Sequence, residues 1–174
     1  YERSEEMSIL KISTFPDNVL RLKAEDITDI DDELVNMIEN MFETLYDQEG
    51  LGLAAPQIAV SKRVFIIDTK KYYEDGENLV LINPEIIEKD GSDKMEEGCL
   101  SVPGIHTEVK RALRILFRGY DIDGKLIERE AEGLLARVIQ HELDHLNGIL
   151  FIDRLSTIKK HQISKELKNL KDKG

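Results

Sequence analysis

The sequence predicts an α+β fold, with antiparallel strands packed around a central HExxH-bearing helix and a further helix near the C-terminal end. Three observations carry that prediction. Runs rich in β-branched residues, Arg63–Asp68, Leu79–Ile87, Ala112–Asp121 and Lys125–Ala131, are grouped in the middle of the chain. Apolar residues with helical spacing lie toward both ends. Asp123-Gly124, between the last two runs, is a dipeptide suited to a tight hairpin turn, because glycine accepts a positive φ.

Each element has its own signal. Leu34, Ile38, Met41 and Leu45 recur at spacings of four, three and four, the mark of one buried helix face. Asp31 is a suitable N-cap for that helix and Gly50 a suitable stop. A polar connector containing Gly76 separates the first two strands. Gly133–Leu146 reads as a helix ended by Asn147-Gly148, and a last helix from about Ser156 to Leu170 puts Ile163, Leu167 and Leu170 on one side. No internal repeat or low-complexity segment interrupts the pattern, so residues 7–174 read as one domain. Tyr1–Glu6 precede the first clean apolar pattern and read as an expression remnant or a disordered start.

Composition narrows the function classes. With 174 residues, 41% of them hydrophobic, the chain can bury a real core, and disorder is not expected. No apolar run approaches the roughly 20 residues that cross a bilayer. A net charge of -11 argues against a nucleic-acid backbone as the main partner and against sequence-specific nucleic-acid binding. The charge is uneven, however. Residues 25–49 carry ten acids and no Lys or Arg, whereas residues 153–174 carry seven bases against three acids. Each reads as a solvated face, and the basic segment alternatively as a dock for something anionic. Cys99 is the single cysteine; with no leader segment in view, it points to a reducing, cytoplasmic setting.

The chemistry concentrates in His141-Glu142-Leu143-Asp144-His145. Residues four apart on a helix lie nearly one above the other, so both imidazoles can reach one metal ion. On the same helix Leu134 and Val138 share the histidine sector, while Arg137, Gln140 and Asp144 fall opposite and read as solvated. Glu142 lies between the histidine row and an apolar row, facing the interior. A lone carboxylate there would incur several kcal/mol of desolvation, which a water activated by a cation would offset while giving the residue work as a general base.

Two histidines leave a ligand unassigned. The position six residues after His145 is Phe151, which cannot serve. Glu166, 21 residues on, is a candidate but sits among Lys165, Lys168 and Lys171. Cys99, in Glu96-Glu97-Gly98-Cys99-Leu100-Ser101, is the other; a lone cysteine is also often a small buried hydrophobe. A third segment, Gly50-Leu51-Gly52-Leu53-Ala54-Ala55-Pro56-Gln57, lacks the ending of a phosphate loop. Its small residues admit close backbone approach and Gln57 offers an amide donor, although a plain helix-to-strand connection has the same composition.

Taken in order, these three motifs resemble those of the peptide deformylases, and the resemblance covers most of Met7–Leu170, in the compact bacterial form. It departs mildly at Ala59, where glycine often stands. The resemblance implies that Cys99, His141 and His145 hold one divalent metal ion, Fe²⁺ in cells, with Zn²⁺, Ni²⁺ or Co²⁺ able to occupy the site. It implies that Glu142 is the general base and that Gln57 and the Leu100 backbone N–H form an oxyanion hole. The substrate it implies is the N-formyl-methionyl end of newly made polypeptides, with formate as product. Gly52 is placed with the catalytic residues and also against substrate. Leu51, Met95, Leu134 and Val138 are the expected walls of a methionine pocket, and Glu97 is expected beside it, paired with Arg111. The basic C-terminal helix and the family together suggest docking on the ribosome.

Overall fold

Val64–Asp68 is buried along its whole length, and its alternation sets the architecture. Val64 and Ile66 face one helix, while Phe65 and Ile67 face another on the opposite side. The computed structural model describes residues 9–173, so the reading of Tyr1–Glu6 falls outside the described residues. Its elements are α1 (Asp32–Gln48), β1 (Gly52–Ala54), β2 (Val64–Asp68), β3 (Asn78–Asp90), β4 (Asp93–Cys99), β5 (Val102–Arg111), β6 (Arg114–Tyr120), β7 (Leu126–Glu132), α2 (Gly133–Leu146), α3 (Thr157–Gln162) and α4 (Ser164–Lys173). Strands β1, β2, β3, β6 and β7 form one antiparallel sheet in that spatial order, and β4 and β5 form a separate hairpin.

Helix α1 covers one face of the sheet with Leu34, Ile38, Met41 and Leu45, all buried against Leu53, Val64, Ile66 and Ile82. Each such side chain contributes roughly 1.5–3 kcal/mol. Asp31 caps the helix, its carboxylate accepting from the Leu34 N–H at 2.9 Å. The expected stop is shifted by one residue. Glu49, not Gly50, adopts the left-handed conformation (φ 57°), and Gly50 is needed for room, since a Cβ there would lie 2.9 Å from Leu45 Cδ1.

Helix α2 covers the other face, packing Ala136, Val138, Ile139 and Leu146 against Phe65, Ile67, Leu81, Ile115 and Phe117. The four sequence-read strands and the Gly133–Leu146 helix stand within a few residues of their expected bounds, and Gly124 takes the positive φ (78°) of its turn. The C-terminal segment departs from expectation: it is two helices rather than one. The break falls at Ile163, where the Ser164 hydroxyl donates to the His161 carbonyl at 2.7 Å and competes with the helical ladder. Ile163, Leu167 and Leu170 do share one side, packed on a third cluster formed by Phe15, Val102, Ile105, Val109 and Phe151.

Besides the short strand β1, the sequence reading lacks the β4–β5 hairpin. Its apolar residues do not simply alternate: Val102 and Ile105 are out of phase because Gly104, at φ 80°, resets the strand, and a register shift separates Glu97 from Cys99.

Candidate metal centre

The hairpin and α2 bring a sulfur and two imidazoles together. Cys99 Sγ lies 3.3 Å from His145 Nε2, and the ligand atoms of Cys99, His141 and His145 all fall within 4.8 Å of one another. Ligands at the bond lengths of a tetrahedral Cys/His site stand about 3.4–3.6 Å apart, so the set fits one cation. Among the described residues this is the sole group of three potential ligands. Glu166 is not part of it: the residue is exposed on α4, which removes the alternative third ligand.

The ring orientations are imposed from outside the set. His141 Nδ1 bonds Glu97 Oε1 at 2.8 Å, leaving Nε2 for the cation. Burial opposes charge on His141, but its bonds to Cys99 and Glu97 outweigh that and raise its pKa to about 10. Surroundings that favour a proton so strongly favour a metal cation, which displaces it. Burial, then the charges of His141 and Arg111, push His145 well below the usual histidine range, so it stays neutral.

Glu142 faces the interior, as its helical position requires, and is 3% exposed. Its Oε2 is buried with no hydrogen-bond partner, as is His145 Nδ1. An orphan carboxylate oxygen beside the ligand set is a seat for a water. Burial raises the Glu142 carboxyl to about 7, with His141 and Arg111 pulling the other way. Gly52 lies directly against it, for a Cβ there would be 2.8 Å from Glu142 Oε1.

Gln57 is buried at the end of a 3-10 turn, Ala55–Ile58. Its Oε1 accepts from the Ala54 N–H at 2.9 Å, which turns the amide nitrogen toward Ser101 Oγ at 3.1 Å and Cys99 Sγ at 3.6 Å. The donor end thus faces the site. Behind it, the Ser13 N–H donates to the Gln57 carbonyl and the Phe15 N–H to the Ser101 carbonyl, both at 2.7 Å.

A cleft of about 540 Å³ opens on these groups. Its walls include Leu51, Gly52, Gln57, Met95, Glu97, Cys99, Leu100, Leu134, Val138, His141 and Glu142, so the expected methionine-pocket and oxyanion residues share one cavity. His145 sits behind it, 1% exposed. His106 also lines the cleft. A Cβ at Gly98 would fall 2.4 Å from its Nδ1, so glycine there lets the ring close over the cysteine loop.

Sequence reasoning misplaced the polar side of α2. Arg137, Gln140 and Asp144, expected in solvent, are 4%, 5% and 6% exposed. For Gln140 the reason is an amide that pairs with the Ala112 N–H and carbonyl; for Arg137 and Asp144 it is a buried ion-pair network. Arg111 holds Glu97 through Nε at 2.6 Å and Nη2 at 3.0 Å, as expected, and reaches Asp144 at 2.9 Å. Arg137 donates to Glu97 at 2.5 Å, and Arg154 grips Asp144 at 2.7 and 2.9 Å. Burial alone would raise Glu97, but the bonds from His141 and Arg111 prevail and hold it at about 2. The available signal was spacing: Arg137 and Asp144 stand four before and three after His141.

The polypeptide deformylase family model matches residues 9–161. A peptide deformylase of Thermodesulfovibrio yellowstonii is 49% identical over 95% of this chain and 100% of the relative, and one of Halothermothrix orenii is 51% identical over 90% and 100%. Among solved structures, a Legionella pneumophila peptide deformylase superposes with a TM-score of 0.86 at 44% identity, covering 94% of this chain and 96% of that one. A Synechococcus elongatus peptide deformylase, solved with actinonin, gives 0.83 at 41%, covering 94% and 86%. With the fold, the ordered motifs and the ligand set all in agreement, the chain belongs to the polypeptide deformylase family.

Proposed function

We propose that residues 7–174 form one catalytic domain, a metal-dependent hydrolase that removes the N-formyl group from the N-terminal methionine of newly synthesised polypeptides and releases formate. The observation that carries this reading is the convergence of Cys99, His141 and His145 beside a buried carboxylate with an unpartnered oxygen. A divalent cation bound there supplies Lewis-acid chemistry, acidifying a water toward neutrality. Glu142 accepts that water's proton and returns it to the leaving amine, a role that suits a carboxyl raised to about 7. The Gln57 amide and the Leu100 N–H meet the charge that grows on the formyl oxygen, one such donor being worth about 3 kcal/mol. Gly52 leaves room for Glu142 to move between the two proton positions. Leu51, Met95, Leu134 and Val138 receive the methionine side chain, with Glu97 closing the wall behind the metal.

The donor set suits several divalent ions. We assign Fe²⁺ as the ion used in cells, with Zn²⁺, Ni²⁺ and Co²⁺ as substitutes, and the cytoplasm as the compartment. Among the described residues no helix is long and apolar enough to cross a membrane. A thiolate on ferrous iron is oxidisable, so iron-loaded protein is expected to lose activity on aeration; undiminished turnover after prolonged exposure would count against iron.

The deciding experiment is formate release from a formyl-Met peptide before and after chelation. Activity should vanish with the metal and return on its restoration. Cys99→Ala should lose metal. Glu142→Gln should keep it while turnover falls by roughly 10²–10⁴. Metal content unchanged in the cysteine variant would sink the ligand assignment.

A further inference from the structure

Arg137 takes no part in the reaction described above, yet it is 4% exposed and three of its bonds are to one neighbouring element. Nη1 donates to Glu97 Oε2 at 2.5 Å and to the Val109 carbonyl at 2.9 Å, and Nη2 donates to the Asp93 carbonyl at 2.8 Å. Glu97 and Asp93 are on β4 and Val109 is on β5, so every acceptor lies on the hairpin that carries Cys99. Arg137 itself lies on α2, one turn before His141. A buried guanidinium is costly unless its donors are used, and here the hairpin uses them. Arg111 makes the reciprocal connection: it starts on β5 and reaches Asp144 on α2 at 2.9 Å. The two arginines meet on Glu97, whose other oxygen holds His141 Nδ1.

We propose that Arg137 is a positioning residue of the metal centre: it locks the cysteine-bearing hairpin to the histidine-bearing helix and, through Glu97, fixes the His141 ring. Two ligand elements that come from distant parts of the chain need such a strap, because no continuous backbone sets their separation. Arg111, rooted in β5, ties the hairpin to α2 through its bond to Asp144, whereas Arg137 grips the hairpin from α2 at three acceptors, two of them main-chain carbonyls that fix the strands themselves.

The inference rests on the metal centre of the proposed function and is tested on Co²⁺-loaded protein. Affinity is read by chelator competition, and ligand geometry by the near-ultraviolet sulfur-to-cobalt charge-transfer band. Arg137→Gln should weaken Co²⁺ binding ten- to a hundredfold and shift or weaken the band. Arg137→Lys keeps the charge but cannot span three acceptors, so it should remain several-fold weaker than the parent. Binding within twofold of the parent with an unchanged band, in either variant, overturns the proposal, even where thermal stability has dropped. Should the glutamine variant not fold, the lysine variant decides alone; should neither fold, Arg137 is a stabiliser of the core and the proposal is likewise overturned. Parent protein that takes up no Co²⁺ would be a different failure, that of the metal centre itself.

Discussion

At the scale of single residues, the centre is set as much by what is missing as by what is present. Gly52 has no side chain, and Glu142 occupies the space one would fill. Gly52→Ala should therefore push the carboxylate away from the reacting water. Formate release is expected to fall at least tenfold while metal content stays near one per chain, measured by elemental analysis; parallel loss of metal would show a broader collapse. His141, Glu142 and His145 were legible in the sequence because helical periodicity alone places them. Cys99 was not settled by spacing, because the contact that brings it to His145 spans 46 residues and depends on a hairpin. Arg137, Gln140 and Asp144 were misread because a helical projection equates polar with solvated; that equation fails where opposite charges are buried together, as at Arg137 and Asp144, or where an amide pairs with main chain, as at Gln140.

At the scale of elements, irregular backbone explains what the pattern concealed. The strands of the main sheet showed themselves through β-branched runs. The β4–β5 hairpin did not, since it is rich in charge and Gly104 breaks its alternation. The 3-10 turn that presents Gln57 ends on Ala59 at φ 63°, ψ 26°, the left-handed conformation that costs an L residue roughly 1–2 kcal/mol. Ala59→Gly relieves the native strain but frees the unfolded chain by about 0.4–1 kcal/mol. The net expectation is a gain of up to about 1 kcal/mol in denaturant unfolding; a loss of stability would show that the alanine methyl packs usefully.

At the scale of the whole molecule, a sheet packs between two helices, and the C-terminal pair α3 and α4 closes a smaller cluster beside it. The apolar side of that pair packs near Phe15 and Val109, and Lys171 stands over the Phe15 ring at 5.8 Å from its centroid. Lys160, Lys165, Lys168 and Lys173 stand exposed on the pair, a cationic edge on a chain of net charge -11. We propose that this edge is what meets ribosomal RNA. Deleting residues 156–174 should abolish a salt-sensitive association with ribosomes and lower the melting temperature by several degrees. Ribosome binding that survives the deletion, or that ignores salt, would refute the role. The strength of the sequence at this scale was in the apolar faces of the helices; their break at Ile163 depends on one serine hydroxyl and left no periodic trace.

The backbone bonds of Ser13 to Gln57 and of Phe15 to Ser101 have a broader consequence. They hold Gln57 and Ser101 from behind with main chain alone, so the amide-donor side of the cleft cannot loosen unless the Ser13–Phe15 segment peels away.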